Sequence, residues 1–266
     1  MTESPVILVT GASSGIGAAT ARLFGQKGYR VVLAARRLDR LQALAEEIRA
    51  TGGQAIPVAA DLTQEGDIRN LVQASLENYG QIDILLNNAG FGRLNWLDNM
   101  DPQKDIAAQV QINILAVIWT AQAVLPHMIE RRSGHIINMG SMASWVASPT
   151  YTIYSASKFA LRGFSEALRR EVGIYNVKVS VIYPGGVATE FGEHVGYQRK
   201  TGITTPKGLK LTAEQVAEAV WKVSQRPRRA VMLPGIMLLS AWANYFFPGL
   251  LDHVMENRFT KPERLG

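Results

Sequence analysis

Cysteine is absent from the 266 residues. That excludes disulfides, Cys-ligated zinc and thiol nucleophiles together, and it fits a reducing compartment, so a cytoplasmic location is expected. Histidine is scarce: His127, His135, His194 and His253 are scattered, with no H-x-x-x-H pair, and no metal site is expected. No Pro/Ser-rich linker, low-complexity run or internal repeat interrupts the chain. The opening Met1-Thr2-Glu3-Ser4-Pro5 has neither the basic stretch nor the long apolar stretch of a secretory leader, and none is expected. Charge is not concentrated either. The net charge is +6, but Arg and Lys are dispersed except at Arg36-Arg37, Arg131-Arg132, Arg169-Arg170 and Arg226 to Arg229, so nucleic acid is not an expected partner.

What is present is enough apolar material, 47% of the chain, for one large α/β domain with a full core. Val6 to Thr10 is a continuous branched apolar run, as a strand buried on both faces should be. Further strands are expected at Tyr29 to Ala35, Gln54 to Ala59, Ile82 to Leu86, Gly134 to Met139, Val177 to Tyr183 and Arg229 to Leu233. Helical spacing fills the intervals: Ala18 to Lys27, Arg36 to Thr51, Gln64 to Tyr79, Gln103 to Glu130, Thr152 to Ile174 and Ala213 to Ser224. Pro184 to Lys210 reads as irregular. Strict alternation of strand and helix predicts a Rossmann-like, doubly wound parallel sheet of about seven strands with helices on both faces. Strand order 3-2-1-4-5-6 would open a ligand crevice at the carboxyl ends of strands one and four.

The turn between the first strand and first helix is Thr10-Gly11-x-x-x-Gly15-x-Gly17. Glycine allows a tight reversal and a close backbone approach to a pyrophosphate, which the helix N-terminus then faces. At the end of the second strand, where an NAD site usually carries a carboxylate for the ribose, this chain has Ala35 followed by Arg36 and Arg37. Guanidinium groups bind a 2′-phosphate that a carboxylate would repel, so NADP(H) is favoured over NAD. Asp61, after the third strand, could accept from an adenine amino group or cap the next helix, with Thr63 as the rival cap. Tyr154 and Lys158 lie one helical turn apart, and an ammonium so near a phenol is expected to lower the phenol's pKa towards a working acid–base range.

Together these motifs resemble the short-chain dehydrogenase/reductase family over nearly the whole chain, from Val6 to about Leu233. The markers come in the family's order: Thr10 to Gly17, Asp61, Asn87-Asn88-Ala89-Gly90, Asn113, Ser141, Tyr154-x-x-x-Lys158, and Pro184-Gly185-Gly186-Val187-Ala188-Thr189. The resemblance implies that Tyr154 exchanges a proton with a carbonyl or alcohol oxygen and that Lys158 tunes it and holds the nicotinamide ribose. Ser141 would polarise the substrate oxygen, and Asn113 would hold a water linked to Lys158. The same resemblance assigns cofactor contacts to Gly11, Ser13, Ser14, Gly15, Ile16, Gly17, Arg36, Arg37, Asp61, Leu62, Asn88, Ala89, Gly90, Pro184, Gly185, Val187 and Thr189. The implied activity is hydride exchange between NADP(H) and a small-molecule carbonyl or secondary alcohol. A 3-oxoacyl thioester or other lipid carbonyl is the alternative substrate, and a non-catalytic nucleotide sensor is the alternative of another class. Homo-oligomers, tetramers or dimers, are common in the family.

Trp145, Val146, Phe191, Val195 and Tyr197, with Phe91 and Trp96, are apolar candidates for the substrate pocket, Trp145 and Phe191 foremost. Beyond the last strand, from about residue 234, lies an apolar stretch broken by Pro248-Gly249. It is short for a membrane span and could cap the pocket, meet a second subunit or rest on a bilayer, with Arg258, Lys261 and Arg264 near the headgroups.

Overall fold

A computed structural model describes residues 4–193, 196, 200 and 205–265. Seven parallel strands form one sheet in the order β3-β2-β1-β4-β5-β6-β7. They are β1 (Val6–Thr10), β2 (Arg30–Ala35), β3 (Gln54–Ala59), β4 (Ile84–Asn87), β5 (Gly134–Met139), β6 (Val177–Pro184) and β7 (Ala230–Leu233). The strand order expected from sequence is the one observed, with β7 added outside β6.

Period-two alternation sorts each strand's side chains between the two layers. Ile7 and Val9 of β1 pack with α1 (Gly15–Gln26), α2 (Leu38–Ala50) and α6 (Ala213–Gln225), through Phe24, Leu41, Ile48, Val216 and Val220. Val6 and Leu8 point the other way, towards α3 (Glu65–Tyr79), α4 (Pro102–Glu130) and α5 (Thr152–Val172), through Leu71, Val124, Met128 and Leu168. Burial on both faces explains why the central strands read as unbroken apolar runs. Helix α4 is long and apolar enough to cross a bilayer, yet Ala116, Ala121, Val124 and Met128 lie in this core.

Element ends differ from the expectation where local chemistry decides them. Gly15 to Gly17 form the first turn of α1 rather than a loop before it. Helix α2 begins at Leu38, which leaves Arg36 and Arg37 outside it, in the turn after β2. Neither Asp61 nor Thr63 caps α3: its N-cap residue is Gln64, and Asp61 instead accepts from the backbone N and hydroxyl of Thr63 in a local turn. Helix α4 is capped by Asp101, which accepts from the backbone of Gln103 and Lys104, and Pro102 opens it. The stretch Gln111–Leu115 is a π-helical turn inside α4.

The segment after β7 forms two short helices, α7 (Leu238–Phe246) and α8 (Pro248–Met255). Its inner edge packs on the loops after β5 and β6: a Cβ on Gly185 would meet Met237 Sδ at 2.5 Å, Asn244 Nδ2 donates to the Trp145 carbonyl, and Ala241 is buried. Its outer face leaves Leu239, Trp242, Tyr245, Phe246, Phe247 and Leu250 exposed, Tyr245 at 79%. Chain beyond it returns across the loop after β4, where Phe259 packs on Trp96 and Arg264 lies over the Trp96 ring and pairs with Asp98.

Candidate active site

The crevice forms where the sheet order reverses, between the carboxyl ends of β1 and β4. Thr10 ties the two together. Its hydroxyl donates to the Leu86 carbonyl at 3.1 Å and accepts from the backbone N of Asn88 and Ala89 at 3.0 and 3.1 Å. Asn88 reaches back, its Nδ2 donating to the Thr10 carbonyl at 3.0 Å. At this junction a side chain on Gly11 (φ +67) would place Cβ 2.8 Å from the Ala89 Cα, and one on Gly17 would lie 2.3 Å from the Gly11 carbonyl oxygen. Ser14, the N-cap of α1, makes no side-chain cap bond, so the first N–H groups of α1 are left for a ligand. This donor-lined, glycine-walled cradle fits the pyrophosphate of a dinucleotide.

Arg37 sits on the same turn: its Nη2 donates to the hydroxyls of Ser13 and Ser14 at 2.9 and 3.1 Å. Arg36 is exposed beside it at the end of β2, next to Ala35. Leu62 is 5% exposed and its side chain packs in the core on the α3 side of the sheet. Asp61 is held in its local turn at the end of β3, its backbone N also donating to Asp67 Oδ2. Ile16 packs against the core of α1 and α6.

Tyr154 and Lys158 both lie on the inward face of α5, 8% and 6% exposed. The Lys158 ammonium donates to the Met139 carbonyl at 3.0 Å and stands 5.7 Å from the centroid of the Tyr154 ring. Burial pushes Lys158 down to about 8. The phenol differs from expectation. Burial pushes Tyr154 up to about 12, and a hydrogen bond with Ser141 pulls the other way without overcoming it. Being one turn from an ammonium does not by itself lower a phenol's pKa when both groups have lost their water and the ammonium is engaged with a backbone carbonyl.

Ser141 follows β5 and caps the short turn Met142–Ser144, accepting from the Ala143 backbone N. Asn113, fully buried in the π-turn of α4, accepts from Phe91 N through Oδ1 and donates to the Phe91 carbonyl and to Ser157 Oγ through Nδ2. A Cβ on Gly90 would lie 2.7 Å from Asn113 Oδ1 and 3.8 Å from Lys158 Nζ, so the expected group of Asn113, Ser141, Tyr154 and Lys158 converges around Gly90 and the end of β5.

Pro184 ends β6, Gly185 packs on Met237, and Val187 bridges to Leu211. Thr189 approaches the glycine turn: its Cγ2 would be 3.2 Å from a Cβ on Gly15. Phe191 faces the Tyr154 ring at 5.7 Å between centroids. Trp145 is half-buried, edge-on to Tyr183 at 5.7 Å and under the Arg162 guanidinium at 3.5 Å. Val146 is half-buried beside it, and Trp96 is taken up by Phe259 and Arg264. Val195 and Tyr197 lie outside the described residues. A groove of about 590 Å³ borders a different stripe of α5, at Thr152, Ser155 and Phe159, opposite Asp252 and Met255 of α8.

Several residues here went unnoticed in the sequence. Ser157 carries the Asn113 side chain, and its own hydroxyl donates to the Tyr154 carbonyl at 2.7 Å. Gln109 is fully buried and holds the backbone of Arg93. Arg40 and Glu190 pair near the Ser13–Arg37 contact. Ser157 lies inside the Tyr-x-x-x-Lys interval and could have been suspected there. Nothing local marks the other three.

The profile of the short chain dehydrogenase family matches residues 5–200. An uncharacterised oxidoreductase of Listeria innocua is 36% identical over 85% of this chain and 92% of its own length. A 3-oxoacyl-[acyl-carrier-protein] reductase of Thermotoga maritima is 33% identical, covering 82% of this chain and 89% of that protein. Among solved structures, a metagenomic short-chain oxidoreductase in complex with NADP superposes with a TM-score of 0.74 at 31% identity, over 86% of this chain and 96% of that one.

Proposed function

The chain belongs to the short-chain dehydrogenase family of oxidoreductases, and from that premise we propose that residues 1–266 act as one NADP(H)-dependent domain that reduces a hydrophobic ketone or aldehyde. The observation that carries this reading is the buried Tyr154–Lys158 pair beside Ser141, on the same crevice as the Arg37–Ser13–Ser14 cluster.

When bound, NADPH supplies the hydride. The residues that would hold it are the N–H groups at the start of α1 for the pyrophosphate, Arg36 and Arg37 for the 2′-phosphate, Asp61 and Asn88 near the adenosine, and Lys158, Val187 and Thr189 at the nicotinamide end. The protein's own work is at the oxygen. Ser141 Oγ donates to the carbonyl oxygen and orients it, and Tyr154 delivers its phenolic proton to that oxygen as negative charge develops there. Burial keeps the phenol protonated at neutral pH, the form that proton delivery to a carbonyl oxygen requires. Lys158, one turn away with its ammonium on the Met139 carbonyl, would hold the nicotinamide ribose, and Asn113 fixes the backbone around Phe91 beside it. Phe191 offers an apolar wall against Tyr154 for the substrate.

Tyr154→Phe is expected to abolish NADPH-dependent reduction across a panel of aryl ketones, while NADPH binding by fluorescence titration stays within about threefold. Retained turnover in that variant overturns the assignment. Wild-type protein that binds NADPH without oxidising it against any panel member favours the nucleotide-sensor reading. The Thermotoga maritima relative supports a 3-oxoacyl thioester as the second substrate class, and the panel therefore includes one.

A further inference from the structure

Glu190 lies directly after Thr189, in the segment between β6 and α6, far in sequence from the turn after β2. The fold brings the two together. Arg40 Nη1 donates to both Glu190 carboxylate oxygens, at 2.9 and 3.1 Å. Arg37 Nη1 stands 3.5 Å from Glu190 Oε2, while the same guanidinium donates to Ser13 and Ser14 on the glycine turn. All three side chains are partly exposed, at 42%, 44% and 41% for Arg37, Arg40 and Glu190. Hydrogen bonding from Arg40, followed by the charges of Arg40 and Arg37, holds Glu190 below the usual carboxylate range, so it is ionised at neutral pH. One carboxylate thus bridges the two guanidinium groups next to the place where a 2′-phosphate is expected.

We propose that Glu190 is a built-in competitor for the cofactor's 2′-phosphate: it occupies Arg37 and Arg40, and NADP(H) must displace it to engage them. This rests on the NADP(H) reading above. Competition follows from shared donors. A phosphate brings a larger charge and three acceptor oxygens, and it can take the guanidinium groups from a single carboxylate whose exposed ion pairs are weakly held. NADH has no group to contest them, so its binding leaves Glu190 in place. Glu190 would then set the ratio of the two affinities, and its release would loosen the segment that carries Thr189 and Phe191 as the phosphorylated cofactor arrives.

The test is equilibrium titration of the full chain with NADPH, NADH and adenosine 2′,5′-bisphosphate, comparing wild type with Glu190→Gln, Glu190→Ala and Arg37→Ala. Both Glu190 variants are expected to tighten NADPH and adenosine 2′,5′-bisphosphate by about three- to tenfold and to leave NADH within about twofold. The proposal is overturned if NADPH binding is unchanged or weaker in both variants, or if NADH tightens equally. Arg37→Ala separates the two levels of inference. Selective loss of NADPH in that variant, with no effect of the Glu190 changes, sinks the competitor and leaves the NADP(H) reading intact. Equal binding of both cofactors in wild type and in Arg37→Ala sinks the NADP(H) reading itself.

Discussion

Lys158 carries a buried charge. Its ammonium is buried, with one hydrogen bond to the Met139 carbonyl, and desolvation lowers it to about 8 from the usual 10.5. The sign of the consequence is fixed. Below about pH 8 both the folded and unfolded chains carry the proton, and the folded chain bears the whole cost of the buried charge. Between about 8 and 10.5 the folded chain gives up the proton first, and stability rises with pH. Lys158→Met is therefore expected to raise stability to urea at pH 7 by about 2–3 kcal/mol, less whatever the lost hydrogen bond contributed, while abolishing turnover. The gain should shrink as the pH is raised from 8 to 10.5. A variant no more stable than wild type at pH 7 would mean that the charge is better solvated than its surroundings suggest. Spacing makes Tyr154 and Lys158 legible as a pair, but spacing carries no information about water, and burial raises the phenol where a neighbouring charge alone would lower it.

At the scale of elements, the glycine turn and the interior strand β5 behave differently. Gly17 lies in the first turn of α1, with the Gly11 carbonyl where a Cβ would stand, 2.3 Å away, and Asn88 Nδ2 at 2.7 Å. Gly17→Ala must push α1 off β1 and break the Asn88–Thr10 tie; a loss of stability of about 2–4 kcal/mol and of NADPH binding by titration is expected together. In β5, His135 is 6% exposed, lies 2.8 Å from Ser180 Oγ on β6, and is pushed by burial down to about 4. The unfolded chain takes up the proton near 6.5 and the folded chain only near 4, so stability is lost as pH falls through that window, by up to about 3 kcal/mol. His135→Gln should flatten the urea midpoint between pH 6.5 and 4, and an unchanged slope would place the acid sensitivity elsewhere. Strand and helix identities were readable because period-two and period-3.6 patterns are local. Helix starts were not: Arg37 falls outside α2 and the Asp61 side chain turns back on Thr63, because caps depend on where the preceding chain enters.

At the scale of the whole molecule, the crevice lies between β1 and β4, and the proposed cofactor would touch both halves: Arg37 and Ser13 on one side, Asn88, Lys158 and Thr189 on the other. A ligand that binds only the folded chain stabilises it by about 2.7 kcal/mol at a hundredfold excess over its Kd. NADPH at that excess is expected to raise Tm by roughly 5–10 °C, and Arg37→Ala at the same NADPH concentration should lose most of the gain; an equal gain in both would place the 2′-phosphate elsewhere. The sequence by itself determined the strands and helices, the glycine turn and the one-turn spacing of Tyr154 and Lys158, because each is encoded within one strand–turn–helix unit or one helical turn, and the alternation of strand and helix then admits few sheet orders. Only the tertiary structure decided that Trp145 is wedged under Arg162, that Phe191 meets Tyr154, that the apolar stretch after β7 folds into α7 and α8 with an inner edge on the loops after β5 and β6 and an apolar outer face, and that Glu190 reaches Arg37 and Arg40 across 150 residues. Those contacts join segments distant along the chain, and a pattern read within a dozen residues holds no record of which distant segment packing will bring beside it.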